Sequence, residues 1–376
     1  MACNLTTSPL PPPTHLAPLL LLHHPPPSSL RPFVTLSYPI TDPLAHPSAQ
    51  TLYDKGPQDA CLVLFWALAF TLLREAFMKG VFSPFMRICL PSPPQIKGQE
   101  REYAKARKKR EHTVTRFAEQ GWSWLYCSIY WTFGVIVLRQ NPSPTSPEQL
   151  WGTYPAVPLP ALTKFYYLSQ LGWWFHQLLV INCEKRRKDH WQMFGHHILT
   201  ITLVVGSYVM NFTSVGVVIH CLMDFCDILL PLAKMFRYLS LSTLCDLTFV
   251  VFLISWFITR EAGLFLVIRS TYVDAPKFIP FEWAPEQGRF LTYRVYLGFV
   301  AMLSILWILA TAWFYMACNV AIRVVRGMGA EDSRSDDESE EDALEQVPES
   351  VGISTATKSE VEEDLRKRKL FSQRGT

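Results

Sequence analysis

Seven long apolar segments, separated by shorter polar stretches, dominate the pattern along the chain. They occupy residues 59–79, 121–138, 162–182, 191–210, 213–233, 245–268 and 293–319. An α-helix needs roughly 20 apolar residues to cross a bilayer, and all seven segments approach or exceed that length. The alternating ten-residue pattern of membrane β-strands is absent, and in hydrocarbon helices are the other way to satisfy the backbone. The pattern predicts an all-α integral membrane protein with about seven transmembrane helices.

The composition agrees with a chain that lies in lipid. Hydrophobic residues make up 49% of the sequence and charged residues only 18%, whereas soluble domains carry about 25% charged residues. The nine cysteines include no CxxC pair and lie mostly in apolar segments, so we interpret them as small buried hydrophobes. We expect membrane lipid, and no nucleic acid, among the partners.

Basic residues concentrate in every second connection between the apolar segments. These connections contain Lys105–Arg110, Lys185–Lys188, Lys234 with Arg237, and Arg323 with Arg326. Because positive residues are retained on the cytosolic side, all four connections should face the cytosol. Seven spans then place the N-terminus in the lumen and the C-terminus in the cytosol.

Five sections follow from this reading. We expect a flexible Pro-rich arm at 1–58, a first transmembrane helix at 59–82, a basic cytosolic linker at 83–113, a domain of six transmembrane helices at 114–325, and an acidic disordered tail at 326–376.

Both ends of the chain carry candidate modification sites. Asn4 begins a glycosylation sequon that is usable if the N-terminus is lumenal, whereas the sequon at Asn211 lies in a short turn near the membrane and is a poor acceptor. In the tail, Ser333, Ser335 and Ser339 each precede an acidic residue by three positions, as in acidophilic kinase sites. The alternative for the tail is an unmodified, solvated segment.

The residues with candidate chemistry are ionisable groups inside two apolar segments. His196 and His197 lie about 9 Å inside their helix, and Asp227 and Asp224 about 10 and 15 Å inside the next, antiparallel helix. Such groups are costly in a membrane and are therefore functional candidates. A histidine can take a proton from an amine or accept an acyl group, and a carboxylate can hold the imidazole in the required tautomer. The cluster favours acyl transfer near the cytosolic side.

Other readings of these residues remain open at this stage. The histidines could only form hydrogen bonds across helices. The two histidines and two aspartates could ligate iron or zinc, although membrane di-iron enzymes need more histidines, and we therefore expect no metal. Likewise, the basic loop with Arg186, Arg187 and Lys188 could receive the phosphates of coenzyme A or only set the topology.

The stretch 182–238 contains KDHWQM, the His196-His197 pair, Ser207-Tyr208, Asn211 and the Asp224–Asp227 pair. It closely resembles the signature region of the ceramide synthases, the longevity-assurance branch of the TLC-domain membrane proteins. The residues of this motif are most similar to those of fungal members. The resemblance covers about 114–325. Met223 and Ser214 depart from the histidine and arginine that are frequent at these positions in the family.

This resemblance implies a six-helix, barrel-like TLC domain preceded by one extra helix, in the endoplasmic reticulum membrane. The implied activity is N-acylation of a sphingoid base (sphinganine or phytosphingosine) with fatty acyl-CoA as co-substrate and no bound cofactor. A small accessory subunit and a homo- or heterodimer are also implied.

The resemblance also assigns the site. His196, His197, Asp224 and Asp227 match the essential residues of the family, and we expect His196 to receive the acyl group while the other three orient or shuttle protons. Candidate substrate-binding residues are Arg186, Arg187, Lys188, Asp189, Trp191, Ser207, Tyr208 and Asn211. The alternative function is that of a non-enzymatic TLC protein that assists translocation or transports lipid. Acyl length should depend on cavity depth and on the connection at about 269–292.

Overall fold

Long helices make up most of the chain that the computed structural model describes, which comprises residues 28–40, 51–94, 100–184 and 189–326. The first part contains α1 (Arg31–Val34), β1 (Pro39–Ile40), β2 (Leu52–Tyr53), α2 (Asp59–Phe77), a π-helical turn (Met78–Phe82) and α3 (Ser83–Cys89). The middle part contains α4 (Glu100–Leu138), α5 (Pro147–Trp151), β3 (Leu159–Pro160), α6 (Ala161–Cys183), α7 (His190–Val209), α8 (Thr213–Asp224) and α9 (Cys226–Tyr238). The last part contains α10 (Ser242–Trp256), a second π-helical turn (Phe257–Gly263), α11 (Leu264–Val273), α12 (Ala275–Phe278), β4 (Glu282–Ala284), a 3₁₀ turn (Pro285–Gln287), β5 (Arg289–Leu291) and α13 (Tyr293–Val325).

Within the described ranges, five helical stretches are long and apolar enough to cross a membrane. They are Asp59–Cys89, Glu100–Leu138, Thr213–Tyr238, Ser242–Phe278 and Tyr293–Val324. The prediction of a helical, multi-pass membrane protein is therefore confirmed. The other two predicted spans form as α6 and α7, close to their predicted bounds, but they carry more polar residues. The exact number of seven spans stays a prediction.

The helices around the predicted linker differ from the expected boundaries. The first helix does not end at 82 but continues through the π-helical turn to Cys89, and α4 already begins at Glu100. Most of 83–113 is therefore helical, because Ala, Lys, Arg and Glu favour helix. At 39 residues, α4 is about 58 Å long, so a large part of it projects beyond a hydrocarbon core of about 30 Å.

The predicted fifth span contains one irregular position. Helix α8 ends at Asp224 and α9 begins at Cys226, with Phe225 between them. Pro231 lies inside α9 and has no N–H to donate to the carbonyl of Asp227, four residues earlier, which weakens the first turn of α9. The two aspartates thus flank an irregular position, although Phe225 keeps helical dihedral angles and Thr213–Tyr238 remains one helical stretch.

Six of the long helices pack in a closed order. Helix α4 packs against α9, α9 against α10, α10 against α13, α13 against α7, α7 against α6, and α6 against α4. Helix α2 packs mainly against the outer side of α6. A cluster of aromatic rings joins these elements: Phe70 of α2 makes edge contacts with Tyr126 of α4 and Trp173 of α6, whose rings stack on each other.

Part of the predicted flexible arm is ordered. Strand β2 pairs with both β1 and β3 in an antiparallel sheet, with Tyr53 opposite Pro39 and Leu159. The described segments 28–40 and 51–58 therefore attach to the end of the bundle at which α6 begins. This pairing joins segments about a hundred residues apart, and no local pattern in the arm indicated it.

Candidate active site

An elongated cavity of about 370 Å³ runs between the helices that follow α3. Its volume falls in the range of ligand sites, about 300–1,000 Å³. Along α13 the lining extends from Tyr296 to Trp313, about 25 Å at helical rise. Most lining side chains are aliphatic or aromatic, and among the described residues none before α4 contributes. The shape and lining suit a long alkyl chain.

The connection at 269–292 borders one end of this cavity. Thr271, Ala275 and Leu291 all line it, and Tyr296 follows at the start of α13. The hydroxyl of Tyr296 donates to the backbone carbonyl of Tyr272 at 2.9 Å, which holds the ring in place. The depth of the cavity is therefore determined partly by this connection.

Both predicted histidines line the cavity from α7. Adjacent residues on a helix point about 100° apart, yet Trp174 of α6 contacts both rings. Its ring lies edge-on to His196 at 5.8 Å and to His197 at 5.5 Å between ring centroids. Trp313 of α13 makes a similar contact with His196 at 5.2 Å. His196 thus lies between α6 and α13, and the two imidazoles face the same space in different surroundings.

The hydrogen bonds of the two histidines differ. Nδ1 of His197 lies 2.6 Å from the backbone carbonyl of Met193. A carbonyl can only accept, so Nδ1 carries the proton and Nε2 of a neutral ring keeps a lone pair. Nδ1 of His196 is buried without a partner among the described residues. His197 is therefore orientated by the protein, whereas a nitrogen of His196 remains available to a ligand.

The aspartates also line the cavity, but their partners are not the histidines. Oδ2 of Asp224 accepts from the side-chain amide of Gln170 at 2.8 Å, and Gln170 in turn accepts from the Tyr126 hydroxyl at 2.8 Å. Asp227 forms an ion pair of 2.7 Å with Arg260. Across the described residues neither carboxylate bonds directly to an imidazole. We expected a carboxylate to hold the imidazole. In the structure the backbone carbonyl of Met193 holds the ring of His197 instead.

Three buried polar atoms beside the histidines lack partners in the described part of the chain. They are Nε1 of Trp174, Nδ1 of His196 and Oγ1 of Thr200, and all three residues line the cavity. Thr200 follows His196 by one helical turn and so lies on the same face of α7. Buried polar groups are nearly always paired, and because these three line one cavity, polar groups of a bound ligand could pair with them.

Sequence reasoning missed Gln170 and Arg260. Both lie inside predicted spans, and a charged or strongly polar residue in an apolar segment is the signal that could have found them. Only the folded chain brings Gln170 to Asp224 and Arg260 to Asp227.

The predicted substrate-binding residues separate into three groups. Ser207 lines the cavity and bonds to the Tyr167 hydroxyl, which leaves no space for a side chain at Gly216. Asp189 and Trp191 do not line the cavity, and Trp191 is 71% exposed. The candidates Arg186, Arg187, Lys188, Asn4, Ser333, Ser335 and Ser339 lie outside the described residues.

Tyr208 and Asn211 take part in a separate polar network at the end of α7. The Tyr208 hydroxyl donates to Asp59 at 2.8 Å, and Lys55 donates to the Asn211 side-chain oxygen at 2.7 Å. The Asn211 amide donates to the backbone carbonyl of Gly288 at 2.7 Å. Asn211 has a positive φ of 65°, which asparagine tolerates in tight turns. This buried amide is a poor glycan acceptor, as the sequence suggested.

Lys55 lies in an unusual environment for a lysine. Besides Asn211, its ammonium donates to the backbone carbonyl of Tyr208 at 2.8 Å. Burial, reinforced by the nearby charge of Lys164, lowers the pKa of Lys55 from 10.5 to about 7. Lys55 can therefore change charge near neutral pH.

Metal ligation was the main chemical alternative for the four predicted residues. Over the described ranges, no three side chains of His, Cys, Asp and Glu approach one another as metal ligands would.

Comparisons with known proteins agree on one family. The family model described as TLC domain matches residues 116–319. The chain is 36% identical to the sphingosine N-acyltransferase lag1 of Schizosaccharomyces pombe over 312 residues, which is 83% of this chain and 74% of the relative. It is 35% identical to the ceramide synthase FUM18 of Gibberella moniliformis, covering 82% and 75% of the two chains. With the ceramide synthase LAG1 of Saccharomyces cerevisiae the identity is 27%, over 84% and 71%.

Proposed function

Because this chain belongs to the sphingosine N-acyltransferases of the TLC-domain family, we propose that it transfers a fatty acyl group from acyl-CoA to the amine of a sphingoid base, sphinganine or phytosphingosine. The observation that carries the proposal is the meeting of His196, His197, Asp224 and Asp227 at one long apolar cavity. Acyl transfer needs a nucleophile and a base close together. Both substrates also carry long alkyl chains, which need apolar space beside the nucleophile and the base.

In the first step, a nitrogen of His196 attacks the carbonyl carbon of the thioester. The carbon–sulfur bond breaks, and the leaving thiolate takes the proton that the imidazolium releases. This assignment is supported by the unpartnered Nδ1 of His196 between Trp174 and Trp313. Acyl-imidazoles react readily with amines, so the step divides a difficult transfer into two easier ones.

In the second step, the amine nitrogen of the sphingoid base attacks the acyl-imidazole. Nε2 of His197 takes the amine proton and returns it to the departing nitrogen of His196, which restores both rings. The support for this role is the bond from His197 to Met193, which leaves a lone pair on Nε2. Asp224 and Asp227 orient the amine and stabilise its positive charge on arrival, and Thr200 offers a hydroxyl to a polar group of a substrate.

The wider organisation follows from the same proposal. The closed packing order of α4, α9, α10, α13, α7 and α6 supports a barrel-like domain of six helices, with the helix Asp59–Cys89 as the seventh span. We place the enzyme in the endoplasmic reticulum membrane with its N-terminus in the lumen and its C-terminus in the cytosol.

Partners and modifications beyond the described residues complete the proposal. The basic loop with Arg186, Arg187 and Lys188 binds the phosphates of coenzyme A. A small accessory subunit and a dimeric partner assist the enzyme. Asn4 is the glycan acceptor, and the tail is phosphorylated at Ser333, Ser335 and Ser339.

Amide formation by the purified chain tests the proposal. With sphinganine and palmitoyl-CoA, the wild type should form ceramide, while His196→Ala and His197→Ala should each lose at least about 10²-fold in kcat, as expected for lost nucleophilic or general-base catalysis. His112→Ala is the matched control, because His112 lies on α4 outside the cavity, and it should retain activity.

The roles of the two histidines can be separated by intact mass spectrometry after mixing with acyl-CoA alone. We expect an acyl adduct on the wild type and on His197→Ala, and none on His196→Ala. Equal ceramide formation by all variants would refute the assignment. A wild type that binds both lipids but forms no amide would instead favour the alternative of a lipid-transport or translocation protein.

A further inference from the structure

Arg260 occupies an irregular turn within a membrane-spanning helix. It lies in the π-helical turn Phe257–Gly263, in the middle of the candidate span Ser242–Phe278. Turns of this kind occur frequently at functional sites because they displace a side chain from the regular helical position. Arg260 is only 9% exposed and lines the cavity. The turn therefore brings a permanent positive charge to the wall of the reaction space.

The guanidinium group is held firmly on one side. Nε and Nη2 donate to the backbone carbonyl of Met223 at 3.2 and 2.6 Å, and Nη2 also pairs with Asp227 at 2.7 Å. The flat group lies over the ring of Trp256, 4.3 Å from its centroid. Nη1 has no hydrogen-bond partner in the part of the chain that the structure describes. A rigid donor with one unused nitrogen is thus available beside the cavity.

No other lysine or arginine lines the cavity within the described ranges. Arg260 is buried, whereas the Asp227 side chain is 44% exposed, so the pair compensates only partly for the cost of burying the guanidinium charge. The Arg260–Asp227 pair is therefore poorly explained by stability alone. Within an apolar wall the same charge acts strongly on a charged group nearby, because the surroundings screen it little.

Both proposed steps of acyl transfer need such a group. When a nucleophile adds to the acyl carbon, the carbonyl oxygen becomes negatively charged, and donors aimed at this oxygen lower the barrier. Backbone amides and side chains can both supply such donors. Among the described side chains that line the cavity, Arg260 is the one with a permanent positive charge, and it shares this cavity with His196.

Resting on the proposed function, we propose that Arg260 is a catalytic residue whose free Nη1 binds the acyl carbonyl oxygen. It stabilises the negative oxygen formed when His196 attacks the thioester, and again when the amine attacks the acyl-imidazole. Each intermediate then collapses, with loss of the thiolate in the first step and of the His196 nitrogen in the second. The Met223 carbonyl and Asp227 hold the guanidinium for this task.

Steady-state kinetics of the full chain purified in detergent test this role with Arg260→Met and Arg260→Lys. Loss of an oxyanion donor costs about 10²–10³-fold in kcat, so Arg260→Met should show this loss with little change in KM for acyl-CoA. Arg260→Lys keeps the charge but not the planar donor geometry, and its kcat should be intermediate. Glu261→Gln is the matched control, because Glu261 lies in the same turn but does not line the cavity.

Chemical rescue separates catalysis from a structural role. Methylguanidine added to Arg260→Ala should restore part of kcat, while it should not restore His196→Ala. Folding of each variant is followed by size-exclusion chromatography, and Arg260→Lys decides the question if Arg260→Met does not fold.

Two results would overturn the inference while the proposed function stands. One is that the wild type is active and that folded Arg260→Met or folded Arg260→Lys has the same kcat as the wild type. The other is a loss of activity that follows a loss of folded protein and is not rescued by methylguanidine. A wild type that forms no amide would overturn the proposed function, and this inference with it.

Discussion

The ion pair between Asp59 and Lys164 should be the most sensitive point for the attachment of the first long helix. Asp59 begins α2 and Lys164 lies in the first turn of α6, and their charged atoms are 2.7 Å apart. The two side chains are 4% and 0% exposed. The Lys164 ammonium also donates to the backbone carbonyls of Ser37 and Asp54 at 2.8 and 2.6 Å. One ammonium group thus holds the arm, α2 and α6 together.

Lys164→Met removes the cation and leaves its acceptors buried. Removal of one partner of a buried pair costs about 3–5 kcal/mol. For a chain of this size, a loss of that magnitude lowers the melting temperature by roughly 5 °C. The double variant Asp59→Asn/Lys164→Met should recover a large part of the loss, because it leaves no uncompensated charge.

The exposed pair Lys79–Glu75 is the matched control. Its charged atoms are also 2.7 Å apart, but Lys79 is 79% exposed, and exposed pairs contribute about 0–1 kcal/mol. Thermal stability is measured on four detergent-purified proteins as the folded fraction that remains after heating. They are the wild type, Lys164→Met, Asp59→Asn/Lys164→Met and Lys79→Met. If Lys164→Met and Lys79→Met melted within about 2 °C of each other, the argument from burial would be refuted.

Two further predictions concern Lys55 and Phe299. The pKa of Lys55 falls from 10.5 to about 7 on folding, so the unfolded chain binds more protons between these values and Lys55 should increase stability as the pH rises from 7 toward 10. Lys55→Met should lose this slope in melting experiments, and an unchanged slope would contradict the prediction. Phe299 lines the cavity, so Phe299→Ala should favour longer acyl-CoA, each added methylene contributing about 0.8 kcal/mol, or roughly fourfold in kcat/KM. The control Phe257→Ala alters an exposed ring outside the cavity, and identical acyl-length profiles for the two variants would count against the prediction.

Local pattern in the sequence was sufficient to predict the helices and to single out four ionisable residues that line the cavity. Helices α6 and α7 follow the predicted 162–182 and 191–210 within one residue, because a sustained apolar run bounded by turn residues favours a helix whatever it packs against. His196 and Asp224 were recognisable for a related reason. An ionisable group in an apolar run is costly wherever it lies, so its presence alone indicates a role.

Tertiary structure alone decided which of these groups meet. Asp227 and Arg260 lie 33 residues apart in sequence, on different helical stretches, and they pair because these stretches pack against each other. The same holds for His197, whose tautomer depends on a backbone carbonyl rather than on the expected aspartate. An ionisable residue inside an apolar run can be recognised from its neighbours in the sequence, and its cost in free energy follows from that local setting. The partner that compensates the charge depends on packing between helices, and no periodicity along one segment contains that information.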